Sequence, residues 1–153
     1  MIYDNGKDTF YSNDFEWADR GFLPASTFKI CNSIIALETG VIENYSSLIL
    51  WDGQKRAMKV WEQDLTFREA FHLSCVPCYQ QVARQIGVDR MNEYLKKLQY
   101  GNMMVDSNSI DRFWLEGESK ITQFDTSDLM QKAVFCFDIP MQYSLIVKVV
   151  QSQ

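Results

Sequence analysis

The segment from Pro24 to Gly40, PASTFKICNSIIALETG, reads as a helix with almost no polar face. Pro24 suits a helix start and Gly40 a C-terminal stop. Between them Phe28, Ile30, Cys31, Ile34, Ile35, Ala36 and Leu37 cover most of the circumference. A helix that is apolar all round is a buried one, so the rest of the chain has to enclose it. The 153 residues, 46% hydrophobic and 23% charged, suffice for one globular domain over 1–153 with a real core. The exception within the helix is Lys29, three residues after Ser26.

Residues three apart share a helix face, so Ser26 and Lys29 point the same way. Ser26 falls in the first turn, where unpaired N–H groups and the positive end of the dipole gather. Burial disfavours a charged lysine and lowers its pKa. A neutral amine is a base, and also a nucleophile towards carbon dioxide. A serine beside such a lysine can be activated for attack. The plainer alternative is a lysine whose stem lies along the helix end with its head in solvent.

Around this helix the chain is mostly α, which makes the fold class α+β with a small β part. Residues 1–12 read as a hairpin turning at Asn5-Gly6. Residues 41–64 carry little sustained period. Thr66 and Glu69 form a capping-box pattern for a helix to about Leu73. Pro77 opens a helix that Gly87 closes, and Asp89 is placed to cap a third over Arg90–Leu98. Thr122 and Asp125 mark a further start, running to about Phe135, and Pro140 opens a last apolar segment. A lone two-stranded hairpin is marginal in water, so these strands want partners.

Composition excludes some functions. A formal net charge of −5 argues against a nucleic-acid binder. No apolar run reaches the roughly 18 residues of a membrane span, and the N-terminus does not read as a signal peptide. The single histidine, His72, and one C-x-x-C at Cys75 and Cys78 fall short of a zinc pattern. No metal or cofactor site is expected. Small buried hydrophobes are the favoured reading of these cysteines, ahead of a redox dithiol.

Several stretches occur together and in order: PASTFKICNSIIALETGVI, LILWDGQKR, SCVPCYQQVARQIG, YGN and DRFWLEG. Together they resemble the class D, oxacillinase-type, serine β-lactamases, with related penicillin-sensing receptor domains sharing much of the pattern. The resemblance runs from about Tyr3 to about Gln151. It implies a serine β-lactamase/penicillin-binding transpeptidase-like fold, here mainly the helical lobe with the hairpin. Ser26 then resembles the acylated nucleophile, and Lys29 the lysine that carbon dioxide converts to a carbamate base. Ser74 resembles the proton-relaying serine of S-x-V, and Val76 the valine that keeps the carbamate pocket dry. Tyr100-Gly101-Asn102 matches the Y-G-N motif beside the site. Trp114 resembles the tryptophan whose indole N–H, a donor only, holds the carbamate. Each also has an ordinary reading: Ser74 as a helix cap, Trp114 as core, and residues 100–102 as a turn.

The implied activity is β-lactam hydrolysis, with β-lactam small molecules as partners and a periplasmic or extracellular location. Sensing by acylation without turnover is the alternative, although the sensors tend to carry a polar residue where Val76 stands. An inactive remnant is the third reading. Cysteines at 75 and 78 depart from the family's usual aliphatic residues. No Lys-Thr-Gly or Lys-Ser-Gly follows Trp114. The expectation is therefore a chain lacking most of the antiparallel sheet and one oxyanion-hole donor, weak or inactive alone, with a hairpin edge open to self-association or to a second chain.

Overall fold

A computed structural model describes residues 1–4 and 6–135. The N-terminal hairpin pairs β1 (Ile2–Asp4) with β2 (Thr9–Tyr11), antiparallel, with Tyr3 opposite Phe10. The Asp4 carboxylate closes the connection by accepting the Gly6 and Lys7 N–H groups at 3.0 and 3.2 Å. A single helical turn follows, α1 (Phe15–Ala18), capped by Asp14 through the Trp17 N–H at 2.8 Å.

The apolar segment forms a 3-10 turn over Ala25–Thr27 that runs into α2 (Phe28–Glu38). As its composition demands, α2 is buried all round. Phe28, Cys31, Ile34, Ile35 and Ala36 lie in the core, together with the polar Lys29, Asn32 and Ser33. Two of these polar groups are tied to Tyr79. Ser33 Oγ and Tyr79 Oη share a hydrogen bond of 2.7 Å, and the Asn32 amide donates to the Tyr79 carbonyl at 3.2 Å.

The region expected to be irregular contributes a second small sheet, β3 (Leu48–Ile49) against β4 (Leu65–Thr66). Two residues are too few to show a period, so no alternation in the sequence announced it. What fixes the pair is burial of Ile49 and Leu65 against the core.

The helix signals hold. Thr66 and Glu69 form the full capping box of α3 (Phe67–His72). Pro77 stands in the first turn of α4 (Val76–Ile86), which packs along α2. Gly87 joins α4 to α5 (Val88–Leu98), and here the sequence reading needs correcting. Asp89 does not cap this helix: α5 starts earlier, from Gly87, and Asp89 sits in its first turn. There the carboxylate faces the positive dipole end without capping a specific N–H. Thr122 and Asp125 exchange the expected bonds at the start of α6 (Gln123–Phe135). The segment predicted from Pro140 lies outside the described residues.

Two isolated bridges complete the frame. Phe22 pairs with Ile121, and Asn102 with Lys120, both antiparallel. They fasten residues 100–121 to the stretch that leads into α2. The described residues form an α+β arrangement, mostly helical as the sequence led one to expect, with two small antiparallel sheets.

Candidate functional site

Ser26 is exposed, in the middle of the 3-10 turn. The turn is set by its neighbours. Thr27 bonds back to the Pro24 carbonyl through both its hydroxyl (2.6 Å) and its N–H (3.2 Å). Ala25 adopts a left-handed backbone, φ 48°, and donates its N–H to the Trp114 carbonyl at 2.8 Å. For a residue with a Cβ this conformation costs about 1–2 kcal/mol. Strain of this kind persists only where surrounding contacts enforce it. Here the enforcing contact comes from Trp114.

Lys29 lies one turn further on and is 3% exposed. Its Nζ has no hydrogen-bond partner, and it lies over the Tyr79 ring, 6.0 Å from the centroid. Burial alone lowers its pKa from the ordinary lysine value. The reading in which the amine reaches solvent is therefore overturned. The preceding residue, Phe28, sits in an aromatic cluster. Phe28 stacks on Trp114 at 5.0 Å and meets Phe113 edge-on at 4.8 Å, with the Tyr100 ring 6.0 Å away. These aromatics seal the base of α2. The Tyr100 phenol is also buried, which raises its pKa. The Thr27 hydroxyl opposes that shift from nearby, though not in hydrogen-bonding geometry.

Ser74 is exposed in the link between α3 and α4, again with a left-handed backbone, φ 51°. The Ser74 N–H donates to the Phe71 carbonyl at 3.0 Å and the Cys75 N–H to the Ala70 carbonyl at 2.8 Å. This is the Schellman pattern, with serine where glycine is usual. Ser74 is thus not the cap of α4. That role falls to Cys75, whose sulfur accepts the Cys78 N–H at 3.3 Å. Val76 is the first residue of α4 and half-buried.

The same device ends α5. Gln99 is left-handed, φ 53°, and the Gln99 and Tyr100 N–H groups each donate at 3.2 Å, to the Lys96 and Leu95 carbonyls. Tyr100 turns into the core, Gly101 follows with φ 61°, and Asn102 is exposed and bridged to Lys120. Gly101 is required twice over. Its φ is positive, and a Cβ there would collide with the Lys120 carbonyl oxygen.

Cys75 and Cys78 are buried and joined in a disulfide. They are therefore more than small hydrophobes, and the structure corrects the favoured sequence reading. Among the described residues no cluster of three or more His, Cys, Asp or Glu could hold a metal.

Residues 3–134 match the penicillin binding protein transpeptidase domain. The chain belongs to the penicillin-binding transpeptidase family. Within that family its likeness is to class D β-lactamases. It is 51% identical over 120 residues to the β-lactamase OXA-10 of Pseudomonas aeruginosa, covering 78% of this chain and 45% of that one. A class D β-lactamase crystal structure from Nostoc superposes with a TM-score of 0.87 at 40% identity, covering 94% of this chain and 62% of the other. The regulatory protein BlaR1 of Bacillus licheniformis is 35% identical over 111 residues, 72% of this chain and 18% of that protein. The chain spans about half the length of the β-lactamase relatives it matches.

For a penicillin-binding transpeptidase chain, three of the four left-handed non-glycine residues among those described fall at telling places. Ala25 precedes Ser26, Ser74 opens S-x-V, and Gln99 precedes Y-G-N. Sequence reasoning missed all three, because a strained alanine, serine or glutamine leaves no mark in composition. They yield a test. Ser74→Gly is expected to raise stability by about 0.5–1 kcal/mol, since relief of the left-handed cost outweighs glycine's entropy. Ser74→Ala keeps the Cβ and should bring no such gain. Equal melting temperatures for the two variants would contradict the strain at this position.

Proposed function

We propose that the complete protein hydrolyses β-lactams through an acyl-enzyme on Ser26. The observation that carries this reading is the buried, partnerless Lys29 amine one turn from an exposed serine. An amine held there in its neutral form can take the proton from Ser26 Oγ as that oxygen attacks the lactam carbonyl carbon. The ring C–N bond then breaks. Ser74 passes a proton to the departing nitrogen, leaving an ester on Ser26 that water cleaves to the ring-opened acid.

The residues present also fit carbon dioxide. A dry, neutral amine with no bonded partner is the form that combines with it. When bound on Lys29, carbon dioxide supplies an anionic general base. Trp114, whose indole N–H can only donate, would hold the anion, and Val76 would exclude water from it. Tyr100 and Gly101 would set the backbone that presents Asn102 beside the site. The backbone N–H of Ser26 would donate to the carbonyl oxygen as charge develops on it, the role of an oxyanion donor.

The Cys75–Cys78 disulfide supports a periplasmic or extracellular location, where such bonds persist. No helix among the described residues is long and apolar enough to cross a membrane. Exposed edge groups of the β1–β2 hairpin are the place for a second chain or further strands to pair.

Similarity to the regulatory protein BlaR1 keeps one second reading, acylation without turnover. Intact-mass spectrometry after mixing the complete protein with penicillin separates the two. A transient adduct on the Ser26 peptide, decaying as ring-opened product accumulates, is the expected result. A persistent adduct would establish the sensing reading, and an adduct elsewhere or none would overturn both. Residues 1–153 alone are expected to turn over poorly, because the substrate-carboxylate contacts implied by Lys-Thr-Gly or Lys-Ser-Gly are not among them.

A further inference from the structure

We propose that the Cys75–Cys78 disulfide is a positioning cross-link that holds Ser74 in its left-handed conformation, making lactam acylation sensitive to reductant. The inference rests on the Ser74 role given above. Ser74 is the single residue between two rigid ends. On one side α3 closes with the Ser74 and Cys75 N–H groups bonded to Phe71 and Ala70. On the other, Cys75 caps α4 and is covalently tied to Cys78 in its first turn. Val76 and Pro77 lie inside the small ring so closed, and the proline's own ring further restricts it. Neither cysteine has a substantial exposed surface, Cys75 being 0% and Cys78 8% exposed. The cross-link therefore acts on the backbone beside it and is not itself placed to react with substrate.

Without the bond, the Cys75 end is held on α4 by two hydrogen bonds, from the Tyr79 N–H to the Cys75 carbonyl at 3.2 Å and from the Cys78 N–H to its sulfur at 3.3 Å. Sulfur is a weak acceptor. A serine, unlike a glycine, gains by leaving the left-handed region. Release of the cross-link lets Ser74 relax and carries its hydroxyl away from the leaving nitrogen. In the redox step the S–S bond breaks, and each sulfur gains one electron and one proton. The two electrons come from a thiol-class reductant, which becomes a disulfide, or from a phosphine, which becomes the phosphine oxide with oxygen from water. Since both sulfurs are buried, reduction proceeds through local opening of this turn.

The test uses the complete protein, oxidised or treated with a water-soluble phosphine, and the Cys78→Val variant. That variant fills the buried position, keeps the Cys75 cap and removes the cross-link. Alkylation under denaturing conditions followed by peptide mapping scores the bond. Single-turnover kinetics with a chromogenic cephalosporin then gives the acylation rate and the burst amplitude separately. We expect reduction to slow acylation about five- to thirty-fold, the cost of losing the left-handed conformation. The burst amplitude should be unchanged. Cys78→Val should match the reduced protein and ignore reductant, and amide exchange should rise at residues 74–78 while α2 stays protected.

Alkylated Cys75 and Cys78 in the oxidised protein would overturn the inference, as would acylation indifferent to a demonstrated reduction. A fall in burst amplitude at constant rate would also overturn it, since that signals general unfolding and not mispositioning of Ser74. If a Ser26→Ala protein still reacted with the cephalosporin, the functional reading would fail instead. The exchange comparison would then decide whether the cross-link holds Ser74.

Discussion

Replacing Lys29 with methionine is expected to cut lactam turnover by about two to four orders of magnitude, the usual worth of a positioned general base. The same change is expected to raise the melting temperature at neutral pH. The two effects share one cause. Burial holds the Lys29 pKa below its unfolded value. Between the lowered value and the unfolded one, near 10.4, the unfolded chain binds more protons than the folded one. Wild-type stability therefore rises with pH across that window. Below it the fold carries the full cost of a buried ammonium, or of neutralising one. Methionine is similar in length and has no charge to desolvate. Its advantage should be greatest at and below neutral pH and shrink as pH approaches 10. Thermal melts of both proteins from pH 6 to pH 10, in carbon dioxide-free buffer, test the sign. Added bicarbonate should stabilise the wild type alone, because a ligand bound only by the folded state shifts the equilibrium towards it. A methionine variant less stable at pH 7, or one still active, would refute the assigned environment of Lys29.

Gly101→Ala should destabilise the fold by about 2–4 kcal/mol, combining a left-handed backbone penalty with overpacking against a neighbouring chain. The neighbour is the Lys120 carbonyl, part of main chain that cannot swing aside. Asn102 and Lys120 exchange two hydrogen bonds of 2.8 Å beside it. Moving Lys120 away breaks both, and with them the fixed position of Asn102. For a chain of this size the shift is about 5–15 °C in melting temperature. Gly101→Asn separates the two causes, since asparagine tolerates the left-handed region but still carries a Cβ. Comparable losses in both variants would identify the collision as the larger effect. A Gly101→Ala protein melting within about 2 °C of wild type would show that the loop yields, contrary to the packing described.

Much of the helical frame was legible because its signals are local. Thr66 with Glu69, Thr122 with Asp125, Pro77 and Gly87 each act within one turn of their own helix, and each stands where expected. The burial of Lys29 was legible for a related reason: the helix around it offers no polar face. Asp89 misled because a carboxylate favours the first turn as well as the cap, and Gly87 began the helix first. The β3–β4 pair was hidden by its brevity. The positions that shape the candidate site were hidden by their chemistry. Ala25 owes its conformation to the distant Trp114, and Ser74 and Gln99 occupy places where glycine would have been an audible signal. The cysteine pair could be seen, but one C-x-x-C is common to metal, redox and structural uses, and only the three-dimensional pairing distinguished them.

The hydrogen bond from Ala25 to the Trp114 carbonyl also bears on the order of events during synthesis. A ribosome adds roughly 5–20 residues per second, so the serine's turn emerges several seconds before its anchor. Until Trp114 arrives, nothing in the nascent chain holds Ala25 in its unfavourable conformation, and Phe28 lacks the ring it stacks on. Closing so long a loop carries an entropic cost that local helix formation does not. The helices can thus form early while the Ser26 turn is among the last parts to set. If Ser26 is the nucleophile proposed above, a turn that sets late keeps it inert while the chain is being made.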